Sequence, residues 1–535
     1  MFMDGCARKH SVETLLRVRP GTFVAALPYI APGAKAGLSV KIYGDEGLLE
    51  DIELKTEIDS PVFLELDKWN GRFLKLKFEA VNARWREIHV EDRGLNELRH
   101  EVPVKKPESN PNVVVYLVDA LRADALGCYN RGMATSRFID SFSNNSVLFK
   151  RAYSPSSWTR PGVASVFTGT YAPYHSAVDR DGFLDETIPT LAEILKQKGY
   201  HTAAFITNGN IGETFGFARG FDTFRFLPED PSGLGVYKSS DELLDKTRDE
   251  IYKLEEPFFL YIHQSDPHAP YTPPDDIKRR FVPPGSEHIS GTMDIFKKLV
   301  YRATTPSPGQ IEYLRGLYNA EVAGADSGFA RFHEILEKRG IAENTIVVFT
   351  ADHGEEFHEH AGFGHGGTLY EEQVRVPLIV KYPESTRGHI VHEPVSIAEI
   401  PVAVLDYLGI APSFSMNGHN PAKFIDARLD TPLRALYFHE KLDKVEKEAV
   451  IDWPMKLIRH INKTNQWGDS VLEWEMYDLE SDPLERKPIT RGKKITRKIL
   501  EMELATLRKD NERKKPPIKV QLTPEQKKRM ESLGY

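Results

Sequence analysis

Short, continuous apolar segments recur through the middle of the chain, and they constrain the fold more than any other feature. Residues 113–118 show no alternation of polar and apolar side chains, which is typical of a strand buried on both faces of a parallel sheet. Similar runs occur at residues 202–206, 258–262, 346–349 and 376–380, and helical patterns lie between them at residues 188–198, 239–254 and 311–339. Strands that alternate with helices over about 300 residues predict an α/β domain with a mostly parallel sheet flanked by helices.

The N-terminal region has a different pattern. Strand-like segments of a few residues occur at residues 38–43, 52–56, 62–66, 73–78 and 88–90, with Gly44-Asp45 and Asn70-Gly71 as turn signals. This spacing favours a small β-sandwich. Residues 64–78 also resemble a segment of the jelly-roll modules found on many secreted hydrolases. Such modules bind glycans or pack against the catalytic domain, and we favour packing.

The C-terminal region differs again. Residues 453–461, 471–474 and 475–479 are predicted antiparallel strands, and residues 493–513 a charged helix. We therefore predict four regions along the chain: an N-terminal β-sandwich over residues 1–102, a linker over 103–111, a catalytic α/β domain over 112–430 and a C-terminal α+β subdomain over 431–535.

The composition excludes several classes of protein. A chain of 535 residues with 40% hydrophobic and 28% charged residues is typical of a folded protein with more than one domain. Its two cysteines, Cys6 and Cys128, exclude a disulfide framework and argue against a cysteine-based zinc site. The net charge of −8 gives no electrostatic case for binding nucleic acid. No apolar run approaches the roughly 20 residues that span a bilayer.

The compartment stays open on this evidence. Residues 22–34 could be a poor signal-peptide core, but a first β-strand and turn is the favoured interpretation. A cytoplasmic location is therefore the default expectation.

Polar residues stand where the predicted buried strands end. Asp119 follows the first strand, residues 263–268 include two histidines after a middle strand, and Asp352 and His353 follow a later one. Ligands of parallel α/β sheets bind beyond the carboxyl ends of the strands. Taken singly, each of these residues could be a helix cap or a turn residue. Three such endings on one sheet favour a functional site.

The segments at these strand ends also resemble known motifs. They are residues 116–122 (Tyr-Leu-Val-Asp-Ala-Leu-Arg), 158–163 (Trp-Thr-Arg-Pro-Gly-Val), 350–354 (Thr-Ala-Asp-His-Gly) and 266–271 (Asp-Pro-His-Ala-Pro-Tyr). Their order and spacing are similar to those of sulfatases, a branch of the alkaline phosphatase superfamily, and the likeness extends over about residues 111–485. The resemblance implies an alkaline-phosphatase-like α/β fold and hydrolysis of a sulfuric or phosphoric ester.

The resemblance implies a metal site as well. Asp119, Asp352 and His353 would be protein ligands, and the Thr159 hydroxyl would complete the set. Two carboxylates and an imidazole suit Mn²⁺, Mg²⁺ or Zn²⁺, whereas Ca²⁺, which prefers an all-oxygen shell, is possible but fits less well. We expect one divalent ion, because Asp326 has no histidine four residues later that could join it in a second site.

The nucleophile position departs from the family pattern. Sulfatases carry a Cys or Ser that becomes formylglycine, with an Arg four residues later, and this chain has Thr159 and Val163. Threonine cannot become formylglycine, so none is expected. A threonine hydroxyl can still attack an ester when a cation lowers its pKa, and lipoteichoic-acid synthases and nucleotide pyrophosphatases use threonine in this way. Alternatively, Thr159 could be a helix N-cap, with Pro161 in the first turn.

Five further residues are candidates, His268 and His365 among them by the same resemblance. His268 would contact the ester group or the leaving oxygen. His365 stands where relatives often have a lysine and would donate a proton to the leaving group. Asn208, Arg122 and His263 are candidate substrate-binding residues. A structural role is an open alternative for His263, and a salt bridge is one for Arg122.

Together these features predict a sulfatase-like metal-dependent hydrolase that cleaves a phosphodiester, phosphonate monoester or sulfate ester through Thr159. Phosphorus esters are favoured because no formylglycine is expected. The alternatives are a true sulfatase, a transferase that moves a phospho-alcohol group onto a glycan or lipid, and a non-catalytic binding protein. The expected partner is a small-molecule, glycan or lipid-headgroup ester.

Overall fold

The computed structural model describes residues 9–19, 22–30, 36–55, 61–81, 83–92, 110–227, 240–383, 387–411, 416, 435–443, 445–513 and 519–524. Most of the predicted linker, residues 103–109, lies outside these ranges. In the described part of the chain, no helix is long and apolar enough to cross a membrane.

Seven antiparallel strands at the N-terminal end form two small sheets. They are β1 (Lys9–Arg17), β2 (Thr22–Ile30), β3 (Gly37–Gly44), β4 (Gly47–Leu54), β5 (Val62–Glu65), β6 (Phe73–Val81) and β7 (Ala83–Asp92). The strand orders are β1-β6-β3-β4 and β5-β2-β7. Alternate residues of β3 are buried in a core that also contains Trp69, Phe78 and Trp85. The predicted β-sandwich is confirmed.

A nine-stranded mixed sheet forms the centre of the molecule. Its strands are β8 (Asn112–Val118), β9 (Val147–Tyr153), β10 (His201–Ile206), β11 (Thr223–Phe226), β12 (Phe258–Gln264), β13 (Thr345–Ala351), β16 (Arg375–Val376), β17 (Leu378–Lys381) and β18 (His389–Ser396). The intervening β14 (Glu356–Phe357) and β15 (Phe363–Gly364) pair with each other.

One half of this sheet is parallel, and the other half contains antiparallel pairs together with the parallel pair of β18 and β9. Strands β11, β10, β12, β8 and β13 are parallel neighbours in that order. Strand β17 is antiparallel to both β13 and β9. Strands β8, β12 and β13 are buried along their whole length, as their continuous apolar sequences predict. The predicted α/β fold class is confirmed, and most of the strand pairings in this mixed sheet are parallel.

Helices cover both faces of the sheet and connect its strands. They are α1 (Arg137–Ser143), α2 (Thr159–Thr168), α3 (Ala172–His175), α4 (Leu191–Gln197), α5 (Ser240–Lys253), α6 (Asp275–Phe281), α7 (Met293–Val300), α8 (Pro308–Lys338), α9 (Glu371–Val374) and α10 (Ile400–Tyr407). The long helix α8 begins with a capping box between Ser307 and Gln310.

The C-terminal region is a four-stranded antiparallel sheet followed by a helix. Its elements are β19 (Leu436–Leu442), β20 (Val445–Asp452), β21 (Met455–His460), β22 (Trp474–Asp478) and α11 (Lys494–Asp510). The separate strand predicted at residues 471–474 is wrong. Pairing with β21 begins only at Trp474, and Leu472 is exposed in the preceding loop, so apolar residues there do not mark a buried strand.

The N-terminal sandwich packs against this C-terminal region. Arg17 in β1 forms a buried ion pair with Asp452 at 2.7 Å. Asp45, in the turn after β3, accepts the backbone N–H of Ile495 at 2.7 Å and so caps α11. Phe73 of β6 lies in one apolar cluster with Tyr437 and Leu500. These contacts show that the sandwich packs against the C-terminal region.

Candidate active site

Two carboxylates face each other at the carboxyl ends of neighbouring strands. Asp119 follows β8, and Asp352 follows β13, its parallel neighbour in the sheet. Ala120 has a φ of 58°, a left-handed conformation that is rare for a residue with a Cβ. Its backbone N–H donates to Asp352 Oδ1 at 3.3 Å, so this turn also ties the two strand ends together. Both carboxylates are completely buried.

Two imidazoles lie beside these carboxylates. His353 Nε2 lies 3.3 Å from Asp119 Oδ1 and 3.6 Å from Asp352 Oδ2. His263, near the end of β12, has its Nε2 at 3.8 Å from Asp119 Oδ2 and 3.7 Å from Asp352 Oδ2. Asp119, His263 and Asp352 offer ligand atoms within 4.8 Å of one another. The sequence interpretation placed His263 among substrate contacts, and the structure places it in the candidate metal group.

The hydrogen bonding of this group fits a bound cation. Within the described ranges, Asp119 Oδ1, Asp352 Oδ2 and both ring nitrogens of His263 are buried without a hydrogen-bond partner. Orphaned polar atoms in a core are rare and require an explanation such as an ion. The Nδ1 of His353 bonds to the Gly354 carbonyl at 2.8 Å, which directs Nε2 to the carboxylates.

The pKa values of these residues also fit a bound cation. Burial lowers the pKa of His263 to about 4, so this imidazole is neutral near pH 7 and its lone pair can bind a metal. Burial, with the negative charge of Asp119, raises the pKa of Asp352 to about 7. Burial opposes protonation of His353, but Asp352 and Asp119 outweigh it and raise the pKa of His353 to about 9. A divalent cation between these groups would replace the proton that the carboxylates attract.

Thr159 is the first residue of α2 and is fully buried. Its Oγ1 lies 3.3 Å from His353 Nε2 and accepts from Asn208 Nδ2 at 3.4 Å. The N-cap position belongs to Trp158, so the alternative interpretation of Thr159 as an N-cap is wrong. A Cβ at Gly162 would come within 2.5 Å of the Asp352 carbonyl oxygen, so glycine allows the helix to approach this strand end.

Asn208 lies between the candidate nucleophile and one carboxylate. Its Nδ2 donates to Asp119 Oδ2 at 2.7 Å as well as to Thr159. Its Oδ1 accepts the backbone N–H of Asn210 at 2.9 Å, which fixes the amide orientation. The side chain is therefore held where it can donate to an oxygen of a group bound at Thr159.

His268 and His365 stand next to this group. Their ring centroids are 4.9 Å apart, and the His365 ring lies 4.1 Å from that of His353. His365 Nδ1 is 2.8 Å from Glu355 Oε1. Burial and the charge of His353 lower the pKa of His365, and burial raises the pKa of Glu355 to about 7. The hydrogen bond thus joins two groups that each resist ionisation.

The comparison with protein families decides the identity of the fold. A family model described as Sulfatase matches residues 111–410, more than half of the chain. The chain belongs to the sulfatase family. A second model, described as N-sulphoglucosamine sulphohydrolase, C-terminal, matches residues 359–511. Sulfatase-family enzymes are metal-dependent hydrolases, and the buried Asp-His-Asp group of this chain is compatible with that requirement.

Individual relatives agree with this assignment. An N-acetylglucosamine-6-O-sulfatase of Bacteroides thetaiotaomicron is 23% identical over 479 residues, which cover 72% of this chain and 84% of the relative. The structure of a protein in complex with its substrate D-glucosamine-2-N,6-O-disulfate superposes with a TM-score of 0.61 at 20% identity, covering 75% of this chain and 98% of that one. The phosphonate monoester hydrolase of Agrobacterium radiobacter gives a TM-score of 0.61 at 19% identity, covering 75% and 96%.

The Arg122 guanidinium is engaged by protein groups and is not free to bind a substrate in this sulfatase-family site. Its guanidinium binds both oxygens of Asp124 at 2.8 Å, the Glu355 carbonyl at 3.0 Å and the carboxylate of Glu359. Four N–H donors are used in these bonds, so the salt-bridge alternative describes Arg122 better than substrate binding does. Asp326, considered above for a second metal, instead accepts the backbone N–H groups of Phe138 and Ile139 at the start of α1.

A cavity of about 520 Å³ adjoins the site, and His268 and His365 line it. Phe296, Tyr301 and Trp467 supply apolar and aromatic surface. Arg180, Asp443 and Gln466 are the polar lining residues, with Arg180 bound to Asp443. The loop from the C-terminal sheet that carries Gln466 and Trp467 thus helps to shape this sulfatase-family site, although no sequence pattern predicted it.

The loop that carries His268 is held by two acids, of which Glu321 is buried and Asp266 is partly buried. Glu321 of α8 accepts the Thr272 N–H at 2.6 Å, and Asp266 accepts the Ser240 N–H at 3.0 Å. Burial and the charge of Asp266 raise the pKa of Glu321 to about 8, and burial raises the pKa of Asp266 to about 7. The folded enzyme therefore binds more protons than the unfolded chain between the ordinary carboxyl range and about pH 8, so stability falls as pH rises through this window.

We expect Glu321→Gln to remove much of the decrease in folding stability between about pH 5 and pH 8. At about pH 5 the variant and the wild type should be equally stable, because the wild-type carboxyl is then protonated. At about pH 8.5 the variant should be more stable by a few kcal/mol, at about 1.4 kcal/mol per unit of pKa shift. Urea unfolding at both pH values measures this. Glu334→Gln on the exposed side of α8 is the control and should show no such gain. An equal difference at both pH values would contradict the expectation.

Proposed function

We propose that this sulfatase-family hydrolase cleaves a phosphodiester or phosphonate monoester by direct attack of Thr159. The observation that carries the proposal is the buried Thr159 hydroxyl, 3.3 Å from His353 Nε2 and bonded to Asn208 beside the carboxylate pair. A hydroxyl buried at a cluster of candidate ligands is placed for activation by a cation. Threonine in this position provides no precursor for formylglycine, so the nucleophile is the hydroxyl itself.

One divalent ion fits the donor set. Asp119, Asp352, His353 and His263 would hold it, with Thr159 Oγ1 as a further ligand. A mixed set of oxygen and nitrogen donors favours Mn²⁺, Mg²⁺ or Zn²⁺ over Ca²⁺. When bound, the cation supplies Lewis-acid chemistry that lowers the pKa of the Thr159 hydroxyl and neutralises a non-bridging oxygen.

The remaining residues orient the ester and receive the leaving group. Thr159 Oγ1 attacks in line as the bond to the leaving oxygen breaks. Asn208 donates to a non-bridging oxygen, and the N-terminus of α2 adds a favourable dipole for an anionic group. His268 stabilises the leaving oxygen and His365 gives it a proton. Water then hydrolyses the threonyl ester.

The cavity accommodates the alcohol part of the substrate. Its volume of about 520 Å³ is in the usual range for small-molecule sites. Aromatic surface from Tyr301 and Trp467, together with the polar groups of Arg180 and Gln466, suits a sugar ring or a similarly sized headgroup. The sugar disulfate bound by a structural neighbour supports the same class of leaving group.

A sulfate ester is the second candidate substrate. The relative from Bacteroides thetaiotaomicron described above is named a sulfatase. The structural neighbours include both a complex with a sugar sulfate and a phosphonate monoester hydrolase. The reacting centre is a tetrahedral atom with charged oxygens in either case. The missing formylglycine precursor decides our preference for phosphorus.

Ester preference tests the proposal directly. We expect metal-stripped enzyme to be inactive on nitrophenyl sulfate, phosphate, phosphodiester and phenylphosphonate esters, and Mn²⁺ or Zn²⁺ to restore turnover of the last two. Initial rates with Mn²⁺, Mg²⁺, Zn²⁺ or Ca²⁺ added back provide the measurement. Dominant sulfate turnover would make the chain a threonine-dependent sulfatase, and turnover only with an added acceptor alcohol would make it a transferase.

A further inference from the structure

A buried carboxylate that no family motif above assigns contacts the candidate proton donor. Glu355 is fully buried, two residues after His353. Its Oε1 is 2.8 Å from His365 Nδ1, and its Oε2 accepts the Tyr271 hydroxyl at 2.9 Å. These three residues come from three different loops. The Tyr271 ring is packed edge-on against Phe296 and Tyr318, which holds its hydroxyl in place.

This arrangement fixes one edge of the His365 ring. Because Nδ1 faces Glu355, Nε2 lies on the opposite edge of the ring. His365 also lines the cavity, where we place the leaving alcohol. An imidazole whose Nδ1 is bonded to a buried carboxyl group keeps one orientation and one tautomer.

We propose that Glu355 is the positioning residue of the leaving-group acid, held by Tyr271 and acting through His365. This inference rests on the function proposed above. As the bond from Thr159 Oγ1 to the central atom forms, the bond to the leaving oxygen breaks and its electron pair goes to that oxygen. The proton on His365 Nε2 moves to the same oxygen. The Glu355–His365 pair thereby loses one proton, with Nδ1 still bonded to the carboxylate, and regains it from water in the hydrolysis of the threonyl ester.

The alternative role for Glu355 is structural, and the two roles differ in a measurable way. Loss of a structural residue lowers the rates of all esters by a similar factor. Loss of a residue that positions the general acid lowers the rates of esters with poor leaving groups, such as alkyl esters. It spares nitrophenyl esters, because their leaving group needs no proton. The dependence of log kcat/KM on leaving-group pKa is therefore the readout.

The experiment uses the full-length, metal-loaded chain and a series of 4-nitrophenyl, phenyl and alkyl esters of the acid that the wild type hydrolyses best. Glu355→Gln should lower kcat/KM for the alkyl ester by about 10²–10⁴-fold and for the nitrophenyl ester by less than about 10-fold. Tyr271→Phe keeps the ring and should lower the alkyl-ester rate by about 10-fold through loss of one hydrogen bond. In a Glu355→Gln/His365→Ala double variant the effects should not add.

Glu356→Gln is the matched control. Glu356 is also buried, but its carboxylate binds the Gln373 amide and the backbone N–H groups of His360 and Gly362. Any loss in this control should be the same for every ester. A uniform loss in Glu355→Gln and Tyr271→Phe would overturn the positioning role, and should Glu355→Gln not fold, Tyr271→Phe alone decides. If the wild type hydrolyses no ester at all, the proposed function itself fails.

Discussion

Thr159→Ala should lower kcat/KM by at least about 10⁴-fold on the preferred ester, because the attacking oxygen is lost. Thr159 is fully buried beside the candidate metal ligand His353. Its Oγ1 is bonded to Asn208 and lies 3.3 Å from His353, which gives the oxygen one defined place. Initial rates over a range of substrate concentration measure the loss, with far-UV circular dichroism and thermal unfolding as checks on folding.

Thr159→Ser is the matched control for that experiment. Serine keeps the hydroxyl and loses only the methyl group, so activity should stay within about 10²-fold of the wild type. Acid-quenched turnover of a phosphorus ester should leave a phosphorylated or phosphonylated peptide that maps to residue 159 in both active proteins. Activity of Thr159→Ala close to that of Thr159→Ser would assign the attack to water and remove the proposed nucleophile.

The buried strands of the sheet could be predicted from sequence because each is apolar along its whole length. Residues 113–118 and 346–349 fall within β8 and β13, and the residues that follow those strands, Asp119 and Asp352, meet as neighbours. Parallel pairing brings the carboxyl ends of such strands together, whatever the sequence distance between them. Thr159 could be placed by motif spacing, and the structure brings it to the same edge.

The half of the sheet that contains β9 could not be predicted in the same way. Strand β9 includes Lys150 and Arg151, so residues 147–153 lack the continuous apolar run of β8. Strands β16 and β17 are short and are separated by Pro377. In the sequence they look like a single apolar run at residues 376–380. Local pattern carries no information on which distant segment such strands will pair with.

Contacts between side chains far apart in sequence account for what the site prediction missed. Glu355 is one of several acids in a charged loop, and only folding shows that Tyr271 and His365 meet at its two oxygens. His263 has no sequence partner that marks it as a candidate ligand, and its position beside Asp119 follows from the pairing of β12 with β8. Arg122 shows the reverse case, because Asp124, one of its salt-bridge partners, is only two residues away in sequence.

Asp352→Asn should abolish the stabilisation of the enzyme by metal and lower its activity by at least about 10³-fold. Two completely buried carboxylates repel each other, and burial with the charge of Asp119 raises the pKa of Asp352 to about 7. At about pH 8, metal-stripped Asp352→Asn should therefore be more stable than metal-stripped wild type, since the variant has one buried charge fewer. Added Mn²⁺ should reverse the order. It stabilises the wild type by about 2.7 kcal/mol at 100 times its Kd, whereas the variant should gain little.

Asp326→Asn separates a metal effect from a general effect of removing a buried carboxylate. Asp326 is also buried, but it caps α1 through the backbone N–H groups of Phe138 and Ile139 and has no contact with the candidate ligands in the described structure. This variant should lose stability and keep the full increment on addition of Mn²⁺. Thermal unfolding with and without metal, and calorimetric titration of metal into stripped protein, measure both quantities. An equal Mn²⁺ increment in Asp352→Asn and wild type would show that the cation binds elsewhere, because a site that uses Asp352 cannot lose a charged ligand without losing affinity.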